Sequence, residues 1–210
     1  MRASRICLTL QDCSVGGGVK VCLYVNRWHV EKECDATSHW YALKVYFNKV
    51  SDMEDVLKSE GIESYVPRMT KPGCSGTGTN NSEPAITSLM FFRSSQAYAG
   101  KLQEAVRGKA MVYTRRSETG WVPAAISDRE MNVFRLVVSS GEDGLEYFSE
   151  DSRVFRKGMH VRVTGGPFRG AEGCIVRIKG NRRLIVSIHG VCAVATSYIP
   201  QCFLEKVEEE

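Results

Sequence analysis

The feature that most constrains how this chain can fold is the run Gly165-Gly166-Pro167-Phe168-Arg169-Gly170, set between two strand-like segments. Glycine reaches backbone conformations closed to other residues and proline fixes φ, so this hexapeptide encodes a tight turn. Before it, His160-Val161-Arg162-Val163-Thr164 alternates polar and apolar residues, the period of a half-buried strand. After it, Cys174-Ile175-Val176-Arg177-Ile178 reads as a strand. Lys179-Gly180-Asn181-Arg182 is a turn, and Leu184-Ile185-Val186-Ser187-Ile188 is the strand's partner. Further strands are expected around residues 191–195 and 203–207. Short strands joined by glycine turns in so small a segment predict a small five-stranded β-barrel. Residues 174–199 are rich in Ile, Val and Thr, which favours strands throughout.

The hundred residues before this segment have another rhythm. Residues 40–46 are aromatic and aliphatic and predict a strand. Ser51 and Glu54 have capping-box spacing for a helix whose apolar face is Val50, Met53, Val56 and Leu57, stopped by Gly61. A strand at 64–66 and a polar loop at 70–84 follow, then a strand at 86–92. Ser94 or Ser95 caps a second helix bearing Tyr98, Leu102, Ala105 and Val106. Strands at 111–114 and 121–124 are joined by a polar turn. Ser127 and Glu130 form a second capping box, opening a helix with Met131, Phe134, Val137 and Val138 on one side. The fold class expected is α+β: an amino-terminal sandwich of a mixed or antiparallel sheet with helices, then the barrel.

Residues 139–152 are acidic and poor in aliphatics, and predict a linker between a domain at 38–138 and one at 153–210. Residues 1–37 hold four of the eight cysteines and a Gly16-Gly17-Gly18 run without sustained periodicity. They are expected to be a weakly ordered extension, or residues added by an upstream start codon. No two cysteines are separated by two residues, and the histidines supply no ligand pair, so no metal or cofactor is expected. Reduced thiols in a cytoplasmic protein are the plain reading. No apolar run reaches the roughly 18 residues of a membrane span, and residues 1–10 make a poor secretory signal. There is no nucleophile–base pair and no phosphate-cradling loop before a helix, so no catalytic residues are assigned and an enzyme is not expected.

Two segments carry a family resemblance. Trp40-Tyr41-Ala42-Leu43-Lys44, followed by a helix and Tyr65-Val66-Pro67, resembles the opening of the NusG amino-terminal (NGN) domain. Gly158-Met159-His160-Val161-Arg162-Val163, followed by Gly166, Pro167, Phe168, Gly170 and Gly173, resembles the KOW motif, which folds as an SH3-like barrel. The resemblance covers residues 38–208 in the family's domain order. Within the family the chain is similar to specialised antiterminators of polysaccharide operons in Bacteroides-type bacteria. The resemblance implies a monomeric transcription elongation or antitermination factor. Its amino-terminal domain would bind RNA polymerase through an apolar surface containing Trp40, Tyr41, Phe91, Phe92 and Phe134. Ser94, Ser95 and Gln96 occupy the turn where a relative touches the opposite side of the polymerase cleft, and they can equally cap the second helix. The KOW domain would recruit a NusE-type ribosomal protein or Rho, or meet nucleic acid. The alternative, a ribosome-associated RNA-binding KOW protein, predicts a far more basic chain than +4 and leaves residues 39–138 unexplained.

Between Arg153 and Arg183 there are nine basic residues and one acidic residue, Glu172. Alternation along residues 174–179 puts Cys174, Val176 and Ile178 toward a core and Ile175, Arg177 and Lys179 on the other side. Arg169, Arg177, Lys179, Arg182 and Arg183 are thus candidate contacts to nucleic acid or a partner, a solvated basic face being the alternative. The arrangement expected is two modules with separate cores, joined by a soft acidic hinge.

Overall fold

The structure, a computed structural model, describes residues 38–70, 82–149, 158–178 and 180–207. The expected extension at 1–37, most of the 70–84 loop, and the end of the 139–152 linker lie outside the described residues. Apolar residues on both faces of β1 (His39–Val45) call for cover on both sides, and β1 takes an interior place in its sheet. It leads into α1 (Val50–Ser59), β2 (Glu63–Tyr65) and a ribbon of β3 (Arg68–Thr70) with β4 (Ser82–Pro84). Then come β5 (Leu89–Ser94), α2 (Gln96–Ala105) and β6 (Ala110–Val112). The first sheet is antiparallel with order β2-β5-β1-β6. A separate hairpin, β7 (Thr114–Ser117) and β8 (Gly120–Pro123), precedes α3 (Asp128–Val138).

Helix starts separate the sound local signals from the misleading one. Ser95 accepts a hydrogen bond from the Tyr98 amide at the head of α2. Ser127 and Glu130 form the full reciprocal box at the head of α3. At α1 the expected Ser51/Glu54 box does not form. The chain turns through two left-handed residues, Phe47 (φ 60°) and Asn48 (φ 53°), so the helix begins at Val50 and Ser51 is already inside it. Glu54 instead pairs with Lys58 at 3.0 Å and Arg68 at 2.7 Å. The strand expected at 111–114 is also split. Val112 ends β6 against β1, and Thr114 begins the hairpin.

The carboxy-terminal unit contains β9 (Glu146–Ser149), β10 (Met159–Val163), β11 (Glu172–Ile178), β12 (Asn181–Ile188), β13 (Cys192–Tyr198) and β14 (Leu204–Lys206). They form one antiparallel sheet, ordered β14-β10-β11-β12-β13-β9. This fits the expected small β unit, with six strands in place of five. The sixth, β9, comes from the stretch read as linker. Tyr147 and Phe148 give that acidic segment strand-forming side chains, and it pairs with β13, Val194 opposite Tyr147 and Ala193 opposite Phe148.

Two separate cores were expected, and the described residues show otherwise. One continuous apolar cluster holds Trp40, Ala42, Leu89, Phe91, Ile126, Met131, Phe134 and Val137 together with Val161, Val163, Phe168, Leu184, Val186, Ile188 and Val194. Helix α3 lies between the sheets and packs on β12 and β13. A second cluster, under α1 and α2, holds Tyr41, Leu43, Val45, Met90 and Phe92 with Val50, Leu57, Ala99 and Leu102.

Candidate interaction surface

The register of β1 against β5 sorts the five aromatic residues expected to face a partner. Tyr41 stands opposite Phe92 and Ala42 opposite Phe91. Directly opposed residues share a face, and the next pair faces the other way. Tyr41 and Phe92 therefore point toward α1 and α2, rings 5.7 Å apart and fully buried. They are core residues of the first unit, which corrects their expected place on a docking surface. Phe91 points to the opposite face with Trp40, and Phe134 comes up from α3 to meet Phe91 at 5.6 Å. The Trp40 carbonyl accepts a hydrogen bond from the Ile126 amide at 2.8 Å, which ties the entry to α3 onto β1. Trp40, Phe91 and Phe134 thus share one apolar face. Tyr65, whose ring lies 6.3 Å from Phe91, belongs to the same face.

Arg135 extends this site in a way the sequence reading missed. Its guanidinium lies 5.7 Å from the Trp40 ring and 5.0 Å from the Tyr65 ring, with Glu63 at 3.9 Å. A cation held over two aromatic faces contributes about 0.5–1 kcal/mol per contact at a partly exposed site. The helical position next to Phe134 was visible in the sequence; its overlap with β1 and β2 was not.

This face is buried in one apolar cluster with residues of the carboxy-terminal sheet, which packs on α3 through β12 and β13. Trp40 is 3% exposed, Phe91 and Phe134 0%. A charged node fastens the cover: Arg129 of α3 and Arg162 of β10 both donate to the Glu172 carboxylate, Arg162 at 2.7 Å. These hydrogen bonds hold the Glu172 carboxyl below the usual range, against a smaller opposing effect of burial. Tyr147 of β9 lies near Tyr65, and burial pushes its hydroxyl up to about 12.

The glycines of the motif have two distinct duties. Gly166 (φ 77°) and Gly170 (φ 89°) occupy left-handed backbone, and the Gly170 amide donates to the Val163 carbonyl at 2.8 Å. Gly173 is needed for closeness, since a Cβ there would meet the Ile185 carbonyl oxygen at 2.2 Å. Pro167 is exposed, and Phe168, 3% exposed, fills the core instead of offering a contact face.

The five basic candidates do not make one free face. Arg169 and Arg177 are exposed. Arg183 is bound to Glu146 at 2.7 Å, and Arg182 donates to Gln201 at 2.6 Å. Lys179 lies outside the described residues. Strand β11 is also not divided into one apolar and one basic side. Ile175 packs on the main cluster, while Val176 and Ile178 pack on Ile185, Ala193 and Phe148 across the sheet. Cys174 is half-buried, its Sγ 4.0 Å from His160 Nδ1. Ser94 is buried, Ser95 caps α2, and Gln96 is exposed in its first turn. No helix among the described residues is long and apolar enough to cross a membrane.

Residues 38–135 match the family model described as NusG, transcription termination factor. Among solved structures, a Thermotoga maritima NusG structure titled for its domain interaction is similar at 20% identity. The match covers 82% of this chain and 99% of that one, with a TM-score of 0.43. No curated protein matches the chain.

Proposed function

From the premise that residues 38–135 form a NusG-family domain, we propose that the chain is a transcription elongation or antitermination factor that binds RNA polymerase through this domain. The observation that carries the reading is the face built by Trp40, Phe91 and Phe134, with Tyr65 and Arg135 beside it. Three elements converge to make a continuous aromatic and apolar surface, the kind that dominates binding energy when a partner covers it. In the closed arrangement the cover is the chain's own second sheet, packed on α3 and sharing one apolar cluster with this face. Docking therefore requires the two units to part, and polymerase must favour the open form by more than the closing contacts favour the closed one. The second sheet, once released, is the KOW-type module that recruits a further partner, a NusE-type ribosomal protein, Rho or nucleic acid. A factor that holds the elongating polymerase better than the paused one shifts that equilibrium tenfold for each 1.4 kcal/mol or so of difference. No step requires bond chemistry by the chain.

Truncating Trp40 or Phe91 tests this poorly, because each buried aromatic costs about 3–5 kcal/mol of stability when cut to alanine. The charged node is a cleaner lever. Glu172→Lys sets a third cation against Arg129 and Arg162 and loosens the cover without touching the aromatic face. Tagged wild-type protein should capture polymerase subunits from its host, and Glu172→Lys should capture several-fold more. Absence of polymerase from both captures overturns the proposal.

A further inference from the structure

We propose that the β7–β8 hairpin is a docking ribbon for single-stranded nucleic acid, with Trp121 as its stacking platform and Arg115 and Arg116 as its phosphate contacts. The proposal stands on the hairpin alone and does not rest on polymerase binding. All four residues of β7 are exposed, and Trp121 on β8 is 72% exposed. The two strands pair only with each other, outside the four-stranded sheet. Arg116 stands directly opposite Trp121, so guanidinium and indole project from the same face of the ribbon. Arg115 lies on the other face, close enough to Tyr41 to act on its hydroxyl. Neither arginine forms an ion pair among the described residues. The hairpin's single acidic residue, Glu118, sits in the two-residue turn at the tip.

An exposed indole beside Arg116, with Arg115 on the reverse of the same ribbon, matches one ligand chemistry closely. A single strand offers an unstacked base to the ring and a phosphate to the guanidinium, whereas a duplex hides its base faces. A protein partner would need a contiguous apolar patch around the indole. On the indole's own face the ribbon carries Arg116, Thr114 and the half-buried Pro123, with Glu118 at the tip, which is no such patch.

The test is a fluorescence-anisotropy titration of the purified full chain with a fluorescein-labelled oligothymidine about twelve nucleotides long. The wild type should bind this strand more tightly than a duplex of equal length. Trp121→Ala should weaken binding roughly tenfold, and Trp121→Phe should retain most of it. Arg115→Gln with Arg116→Gln should weaken binding and flatten the dependence of log affinity on log salt by about 1.4, or 0.7 per lost phosphate contact. Thermal unfolding of Trp121→Ala should match wild type, because the ring is in solvent. No binding by wild type, equal binding of the duplex, or unchanged binding by Trp121→Ala each overturns the proposal. So does a loss seen in Arg177→Gln and not in Trp121→Ala, which would assign the strand to the second sheet. No polymerase is present, so this outcome is independent of the capture experiment.

Discussion

Gly170 and Gly173 lie three residues apart in one motif and are required for different physical reasons. Gly170 needs a positive φ and has open space where a Cβ would go. Gly170→Ala should cost about 1–2 kcal/mol, the ordinary penalty of left-handed backbone for a residue with a Cβ. Gly173 has its Cβ direction blocked by the Ile185 carbonyl on the neighbouring strand, an atom that cannot rotate away. Gly173→Ala should cost more, about 3 kcal/mol, the upper end of what overpacking usually costs, and splay β11 from β12. Chemical denaturation of both variants checks the ranking; equal losses would mean that close approach is not what Gly173 provides. The sequence marked Gly170 as a turn glycine and Gly173 only as part of the motif, and could not show what Gly173 provides, because the collision involves a strand more than ten positions away. The same holds for Trp40 and Tyr41. Both are aromatic and adjacent, and only the pairing of β1 with β5 shows which one faces α3 and which the other helices.

Among the elements, α3 was the most legible and matters most. Its box at Ser127 and Glu130 and its stripe of Met131, Phe134, Val137 and Val138 were readable in sequence, and the structure contains both. Box and stripe arise within one helix, and here the chain enters the helix so that Ser127 stands at the cap, unlike Ser51 in α1. Ser127→Ala should lower the melting temperature, at a cost of about 1 kcal/mol. Ser51→Ala, at the box that does not form, should change stability by less than about 0.5 kcal/mol, as surface substitutions usually do. A thermal melt of each variant decides between them; a large loss at Ser51 would contradict the helix start observed at Val50. Strand β9 is the opposite case. Its acidic, glycine-flanked sequence reads as linker, and it becomes a strand because β13 presents an open edge to Tyr147 and Phe148.

In the whole molecule, the shared cluster around α3 couples the two units, so the closed chain should unfold in one cooperative transition. The Glu172 node gives this coupling a pH dependence. Its folded carboxyl is held below the ordinary glutamate range by Arg162 and Arg129. The stabilisation is therefore fully present above about pH 4–5 and is lost as pH falls through and below that range. Arg129 is largely in solvent, which limits the node to about 1 kcal/mol. The difference in melting temperature between wild type and Glu172→Gln should be present at pH 7 and shrink toward pH 3. A difference that persists unchanged at pH 3 would show that the carboxylate charge is not what the variant removes.

By itself the sequence determined the three helices, most of the strands but not β3, β4 and β9, the glycine turns, two of the three helix starts, and the family resemblance that its matched amino-terminal region bears out. These are set by contacts within a few residues: side-chain caps, backbone freedom and the alternation of apolar positions. Only the tertiary structure decided that Trp40, Phe91 and Phe134 share a face while Tyr41 and Phe92 do not. It alone recruited β9 from the expected linker, set Glu172 between arginines of two units, and closed the second sheet over α3. Those outcomes depend on strand register and on which apolar surfaces find each other across the fold, and both are fixed by pairings between segments far apart in the chain.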